Sequence, residues 1–169
     1  MSERNSKHRL ALFPASFDPI TNGHLDLLDR SRALFDETVI AVAKNVSKNA
    51  TFNADERMEL LLAVTEDMPD VSVQVFEGLV VHHAEQIGAS AIIRGLRAMS
   101  DFEYEFEMAL MNKHLTPGVE ILFFMTRQEY LYVSSSRLKE LVRFGASIDE
   151  WVPPVVAAAL KRKLGQPDS

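Results

Sequence analysis

An α/β fold on a parallel sheet is predicted by three features of the chain. Five short apolar β-type runs recur at Leu10–Phe13, Val39–Ala43, Val71–Phe76, Ala91–Ile93 and Ile121–Met125, and a helix-length segment fills each interval. Most runs are continuously apolar, as strands covered on both faces must be. The length, 169 residues, suits one domain that buries most of its apolar surface. The expectation is a single domain over 1–169: a doubly wound five-stranded parallel sheet with helices on both faces and C-terminal helices. Met1–Lys7 and Gly165–Ser169 read as loose tails.

In chain order, Leu10–Phe13 reads as a buried first strand. Leu27, Leu28, Leu34 and Phe35 then recur at helical spacing, which places His24 in a helix's first turn. Val39–Ala43 forms the second strand. Asn53 followed by Glu56 is a capping signature, with Met58, Leu61, Leu62 and Thr65 on one face of the helix behind it. In the third run Val71, Val73 and Val75 alternate with Ser72 and Gln74, so this strand is expected at the sheet edge. Ser100 and Glu103 repeat the capping signature. The helix that follows carries two apolar stripes, Phe102, Phe106, Ala109 and Leu110 on one side and Tyr104, Met108, Met111 and Leu115 on the other. Such a helix lies in the core or buries one stripe against a second subunit, and an oligomer is the favoured expectation. Ser134–Arg143 reads as a helix ending at Gly145, and Val155–Leu164 as a terminal one set off by Pro153 and Pro154.

A formal net charge of -6 argues against a general nucleic-acid binder. The absence of cysteine excludes disulfides, zinc–thiolate sites and thiol chemistry. No apolar run approaches the roughly 20 residues that span a bilayer. With a polar stretch from Met1 to Arg9, the expectation is a soluble, cytoplasmic protein with neither membrane nor nucleic-acid partner.

Parallel α/β sheets place ligands at the carboxyl ends of their strands. Ser16 and His24 follow strand one, Lys44 and Lys48 strand two, Arg94 and Arg97 strand four, and Tyr130–Ser136 strand five. Neither G-x-G-x-x-G nor a G-x-x-x-x-G-K-[ST] loop occurs, so phosphate must be gripped in another way. A helix start favours anions, and within Thr21-Asn22-Gly23-His24 the imidazole reads as a phosphate donor rather than a simple cap. Arg94 and Arg97 supply planar forks matched to phosphate oxygens; the plainer reading pairs them with Asp101 or Glu103. Lys48 reads equally as a solvated loop lysine or as a mobile ammonium reaching a transferred phosphoryl group. Three consecutive hydroxyls at Ser134-Ser135-Ser136 exceed what an N-cap requires. His82 and His83 lack the spacing of a helical metal pair and read as surface residues; His8 and His114 carry no signal. Glu105, in a run of solvated acids, could turn towards a nucleotide near Arg97.

Phe17-Asp18-Pro19-Ile20-Thr21-Asn22-Gly23-His24, Ile93-Arg94-Gly95-Leu96-Arg97, Asp101-Phe102-Glu103-Tyr104-Glu105 and Val133-Ser134-Ser135-Ser136, in that order, closely resemble the bacterial phosphopantetheine adenylyltransferases of the nucleotidylyltransferase superfamily. The resemblance runs from about Leu10 to Leu164 and implies a Rossmann-like fold. It also implies adenylyl transfer from ATP to 4′-phosphopantetheine, giving dephospho-coenzyme A and pyrophosphate, the penultimate step of coenzyme A biosynthesis. Implied with it are magnesium, held by no assigned residue, a cytoplasmic homohexamer, and dephospho-coenzyme A and coenzyme A as product or inhibitor. Carried over by position, Ser16, Lys48, Val80 and Arg94 would contact phosphopantetheine. Ser16, Phe17, His24, Gly95, Leu96, Arg97 and Glu105 would contact ATP, together with Tyr130, Leu131, Tyr132, Val133, Ser134, Ser135 and Ser136. His24, Lys48 and Arg97 would be catalytic.

Ala15-Ser16 stands where the family usually has Gly-Thr. The hydroxyl survives, its rotamer is freer, and Ala15 requires a backbone angle open to a residue with a Cβ. The expected chemistry is in-line attack without a covalent intermediate. The rival readings are transfer to another phosphate acceptor, such as nicotinamide mononucleotide or a sugar or polyol phosphate, and a non-catalytic nucleotide-binding module.

Overall fold

The computed structural model describes residues 8–44, 50–97 and 99–165. Lys48, the Met1–Lys7 tail and all but the first residue of the C-terminal tail lie outside them. The elements run β1 (Leu10–Ala15), α1 (Asn22–Arg32), β2 (Glu37–Ala43), α2 (Ala54–Val64), β3 (Val71–Phe76), α3 (Val80–Gln86), β4 (Ala91–Leu96), α4 (Met99–Leu115), β5 (Glu120–Met125), α5 (Ser135–Arg143) and α6 (Pro154–Leu164), with a 3-10 turn at Gln128–Tyr130 before α5.

All strand pairs are parallel and the order is β3-β2-β1-β4-β5, which puts β3 at an edge as its alternation requires. The pleat divides each central strand between two cores. Phe13, Ile40, Val42 and Ile93 pack with Leu27, Leu28, Leu61, Leu138, Val156 and Leu160, so α1, α2, α5 and α6 cover one face. Leu12, Val39, Ala41 and Ile92 pack on the other with Val81 and Ala84 of α3.

Several boundaries differ from those read in the sequence. Strand β4 continues to Leu96, because Arg94 and Gly95 pair in register with Phe123 and Phe124 of β5. Arg94 is therefore a strand residue and only Arg97 lies beyond the strand. Helix α1 stops at Arg32, and Leu34 is 51% exposed rather than part of its buried stripe. The buried residues of α2 are Arg57, Leu60 and Leu61, while Leu62 faces solvent. Ser100 lies within α4 rather than at its cap. His83 is not a surface histidine; its ring stacks on Phe76 with centroids 5.1 Å apart.

The junction of β1 and β4 creates the site. Pairing between them covers Ala11↔Ala91 and Leu12↔Ile92, although β1 runs on to Ala15 and β4 to Leu96. Pro14 explains why the ladder stops. The Leu10 carbonyl faces β4, where it accepts from the Ser90 N–H, and every second residue of a strand faces the same way. Pro14 thus presents to β4 a nitrogen that has no hydrogen to donate. Beyond Leu12 the two strands fork.

Candidate active site

The fork opens into a cavity of 480 Å³, walled by the β1–α1 corner, the end of β4, one turn of α4 and the start of α5. This is the switch point of the sheet, where β1 lies between β2 and β4 and the strand order runs outward from it in both directions.

Helix α1 begins with a capping box. The Thr21 hydroxyl accepts from the His24 N–H at 3.3 Å, and His24 Nδ1 accepts from the Thr21 N–H at 3.1 Å. The Asn22 N–H donates to the Trp151 carbonyl at 2.8 Å. The helix start is thus less open to an anion than the sequence suggests, although Gly23 lines the cavity. The box nevertheless does chemical work on the imidazole. A ring nitrogen that accepts carries no proton, so neutral His24 bears its hydrogen on Nε2. Burial, and secondarily the Arg97 guanidinium, lower its pKa from 6.5 to about 4. His24 at neutral pH is an uncharged donor lining the cavity. Phe17 fixes the ring from one side, with centroids 5.2 Å apart.

Phe17 also takes the strained conformation of the corner, with φ at +47°. Ala15 ends β1 and has no such angle, so the exchange of glycine for alanine there costs no backbone strain. The Ser16 side chain is exposed and lines the cavity.

The carboxylate that holds Arg94 is Glu105 rather than Glu103, and the Asp101 side chain lies outside the described residues. Arg94 Nε donates to Glu105 Oε2 at 2.8 Å, its Nη2 to Glu105 Oε1, and its Nη1 to the Pro14 carbonyl at 3.1 Å. The last bond bridges the fork. Glu105 is thus engaged by Arg94, and it lines the cavity together with Arg97. One N–H on each terminal nitrogen of Arg94 remains for a ligand, in an orientation set by those three bonds. Arg97 is exposed and lines the cavity. A Cβ at Gly95 would lie 2.5 Å from Leu27 Cδ1, so glycine there lets β4 approach α1.

Each serine of the triplet has its own position. Ser134 caps α5 by accepting from the Arg137 N–H at 3.3 Å, Ser135 Oγ donates to the Pro19 carbonyl at 2.9 Å, and Ser136 is exposed. All three line the cavity with Tyr130 and Val133. Leu96 and Phe17 are buried behind its wall, while Leu131 and Tyr132 stand outside it. Val80 lines a smaller adjoining cavity of 120 Å³, which shares Arg94, Tyr104 and Glu105 with the first.

Three supporting residues carried no readable signal. Buried Asp18 accepts from the Thr51 and Phe52 N–H groups at 2.9 and 2.8 Å and pairs with Lys139 of α5 at 2.7 Å. Arg57 of α2 reaches the Ser16 carbonyl at 2.7 Å. Asp26 of α1 pairs with Arg127 at 2.8 Å and so ties down the chain leading to Tyr130. Contacts across such sequence separations leave no periodic trace. Among the described residues no three histidine or acidic side chains gather to hold a metal, and the one carboxylate lining the cavity, Glu105, is taken by Arg94.

A doubly wound sheet whose switch-point cavity gathers arginines, an imidazole donor and helix-start hydroxyls defines a nucleotidyltransferase, and residues 12–141 match the cytidylyltransferase-like family. A crystal structure from Vibrio parahaemolyticus, provisionally assigned as a nicotinate-nucleotide adenylyltransferase, superposes with a TM-score of 0.67 over 91% of this chain and 99% of that one; at 18% identity it speaks for the fold. The phosphopantetheine adenylyltransferase of Caldanaerobacter subterraneus subsp. tengcongensis is 51% identical over 156 residues, 92% of this chain and 98% of its own. That of Desulfitobacterium hafniense strain DCB-2 is 49% identical over 155 residues, 92% and 95% of the two chains. The chain belongs to the phosphopantetheine adenylyltransferase family.

Proposed function

We propose that the protein transfers the adenylyl group of ATP to 4′-phosphopantetheine, releasing pyrophosphate and dephospho-coenzyme A in the penultimate step of coenzyme A biosynthesis in the cytoplasm. The observation that carries this reading is the convergence of His24, Arg94 and Arg97 on one cavity with a smaller annex at Val80. The cavity suits the nucleotide and the meeting phosphates. The annex, lined by Val80, Ile92, Met108 and Ile121, suits the apolar parts of a pantetheine arm whose phosphate reaches Arg94.

The acceptor phosphate is already anionic, so in-line attack on the α-phosphorus needs no strong base and no covalent enzyme intermediate. What remains is to align two repelling polyanions and neutralise the charge that moves to pyrophosphate. His24 Nε2–H and Arg97 serve the transferring group, Arg94 the acceptor phosphate, and the start of α5 the distal phosphates. Lys48 is assigned with them through the family pattern. Magnesium would enter on the phosphates of ATP, the usual way that ion is carried into such sites.

The working form is a homohexamer. Along α4, Phe102, Tyr104, Phe106, Leu110, Met111 and Leu115 are all exposed in one chain, which supports burial against other copies. Coenzyme A, which shares the product's phosphopantetheine arm, competes for the annex. The test supplies ATP, magnesium and either 4′-phosphopantetheine or nicotinamide mononucleotide and measures pyrophosphate. Release with the first acceptor alone is expected, and release with the second alone would overturn the acceptor.

A further inference from the structure

Beneath the β1–α1 corner lies a guanidinium that the proposed transfer does not use. Arg57 is 2% exposed. It donates from Nη1 to the Ser16 carbonyl at 2.7 Å, from Nη2 to the Ala43 carbonyl at 3.2 Å and from Nε to the Asn53 carbonyl at 3.3 Å. Burying a cation is costly, and an apolar side chain of similar volume would fill the space at less cost. The three acceptors explain the choice, because they belong to the corner, the end of β2 and the cap of α2. A planar fork can hold three carbonyls at once; an ammonium cannot match that geometry.

We propose that Arg57 is a positioning residue that sets the Ser16–Phe17 peptide of the phosphate corner. Phe17 occupies a left-handed conformation unfavourable to a residue with a side chain, and such a conformation persists only where its surroundings impose it. Arg57 imposes it from the Ser16 side. Asp18, fixed to the Thr51 and Phe52 N–H groups and to Lys139, imposes it from the other. A trans peptide sets its C=O and N–H on opposite sides. Turning the Ser16 carbonyl inward to Arg57 therefore turns the Phe17 N–H outward, as a fixed donor beside the Ser16 hydroxyl. This inference rests on the reading that Ser16 and Phe17 meet ATP.

The test compares wild type with Arg57→Lys and Arg57→Gln, each taken from the fraction that elutes as wild type on gel filtration. ATP affinity is measured by calorimetry and turnover by pyrophosphate release. The expected result is an ATP dissociation constant raised about tenfold in Arg57→Lys and more in Arg57→Gln, with a smaller factor when either is combined with Ser16→Ala, since both act on one corner. Wild-type ATP affinity in both folded variants would overturn the proposal, as would factors that multiply in full with Ser16→Ala. A wild type that binds ATP but makes no product with 4′-phosphopantetheine would instead refute the acceptor, and the affinity comparison would still judge Arg57.

Discussion

His24 shows how one residue's local bonds decide its chemistry. Its Nδ1 is committed to the Thr21 N–H, so the donor on Nε2 exists without a positive charge and does not depend on protonation near neutrality. Removing one preorganised donor to a transition state costs about 2.7–4 kcal/mol of barrier. His24→Ala is therefore expected to lower turnover about a hundredfold or more in a pyrophosphate assay, and near-normal turnover would remove the residue from the mechanism. The same environment has a consequence for stability. Because the folded pKa, about 4, lies below the ordinary 6.5, the unfolded chain binds the extra proton between those values. The stabilising contribution is thus fully present above pH 6.5 and is lost as pH falls towards 4. Melting temperatures should fall more steeply over that interval in wild type than in His24→Asn, and parallel curves would contradict the shift. The imidazole was legible from Thr21-Asn22-Gly23-His24 behind a strand. Its tautomer was not, because that follows from a bond formed only when the box closes.

At the scale of elements, the corner, α2 and α5 are joined through Asp18 and Lys139, whose side chains are almost wholly enclosed. Breaking a buried pair by removing one charge typically costs about 3–5 kcal/mol. Asp18→Asn should lose stability of that order in urea unfolding, and Lys139→Met a smaller amount, since the Asp18 carboxylate keeps its two backbone donors. Equal and negligible losses would show that the pair merely sits on the surface of a self-sufficient corner. The strands, and the edge position of β3, were legible because apolar runs, their alternation and turn residues are local signals. The true length of β4 was not: Arg94 and Gly95 break the apolar run, and only pairing with Phe123 and Phe124 carries the strand through them. The buried face of α2 was legible only in part: Leu61 and Thr65 are buried, Leu62 is not. The face also holds an arginine, whose burial makes sense only once the Ser16 and Ala43 carbonyls, distant in sequence, accept from it.

For the whole molecule, α4 sets the question of assembly. Tyr104 is 65% and Leu110 58% exposed, yet Tyr104 also lines both cavities. Charge placed on this face, as in Leu110→Glu, is expected to shift the protein to smaller species in sedimentation. It should also make the melting temperature less dependent on protein concentration, as linkage between folding and assembly requires. An unchanged sedimentation profile would place the interface elsewhere. The two apolar stripes of α4 were legible as a pattern that one sheet could not cover, whereas the number of copies is not written in a single helix.

Pro14 at the fork divides the molecule's hydrogen-exchange behaviour as well as its shape. Amides of β1 and β4 up to Leu12 and Ile92 lie in a closed central ladder, so their exchange should report global unfolding. Past that point the β4 edge is bridged by a side chain, through Arg94 to the Pro14 carbonyl, and a side-chain bridge opens without the sheet opening. The N–H of Gly95, which faces β1 across the gap, is then expected to exchange far faster in the free protein than that of Ile93, which faces the same way at the end of the closed ladder, and to slow when nucleotide fills the gap, making that pair of alternate amides an internal gauge of occupancy.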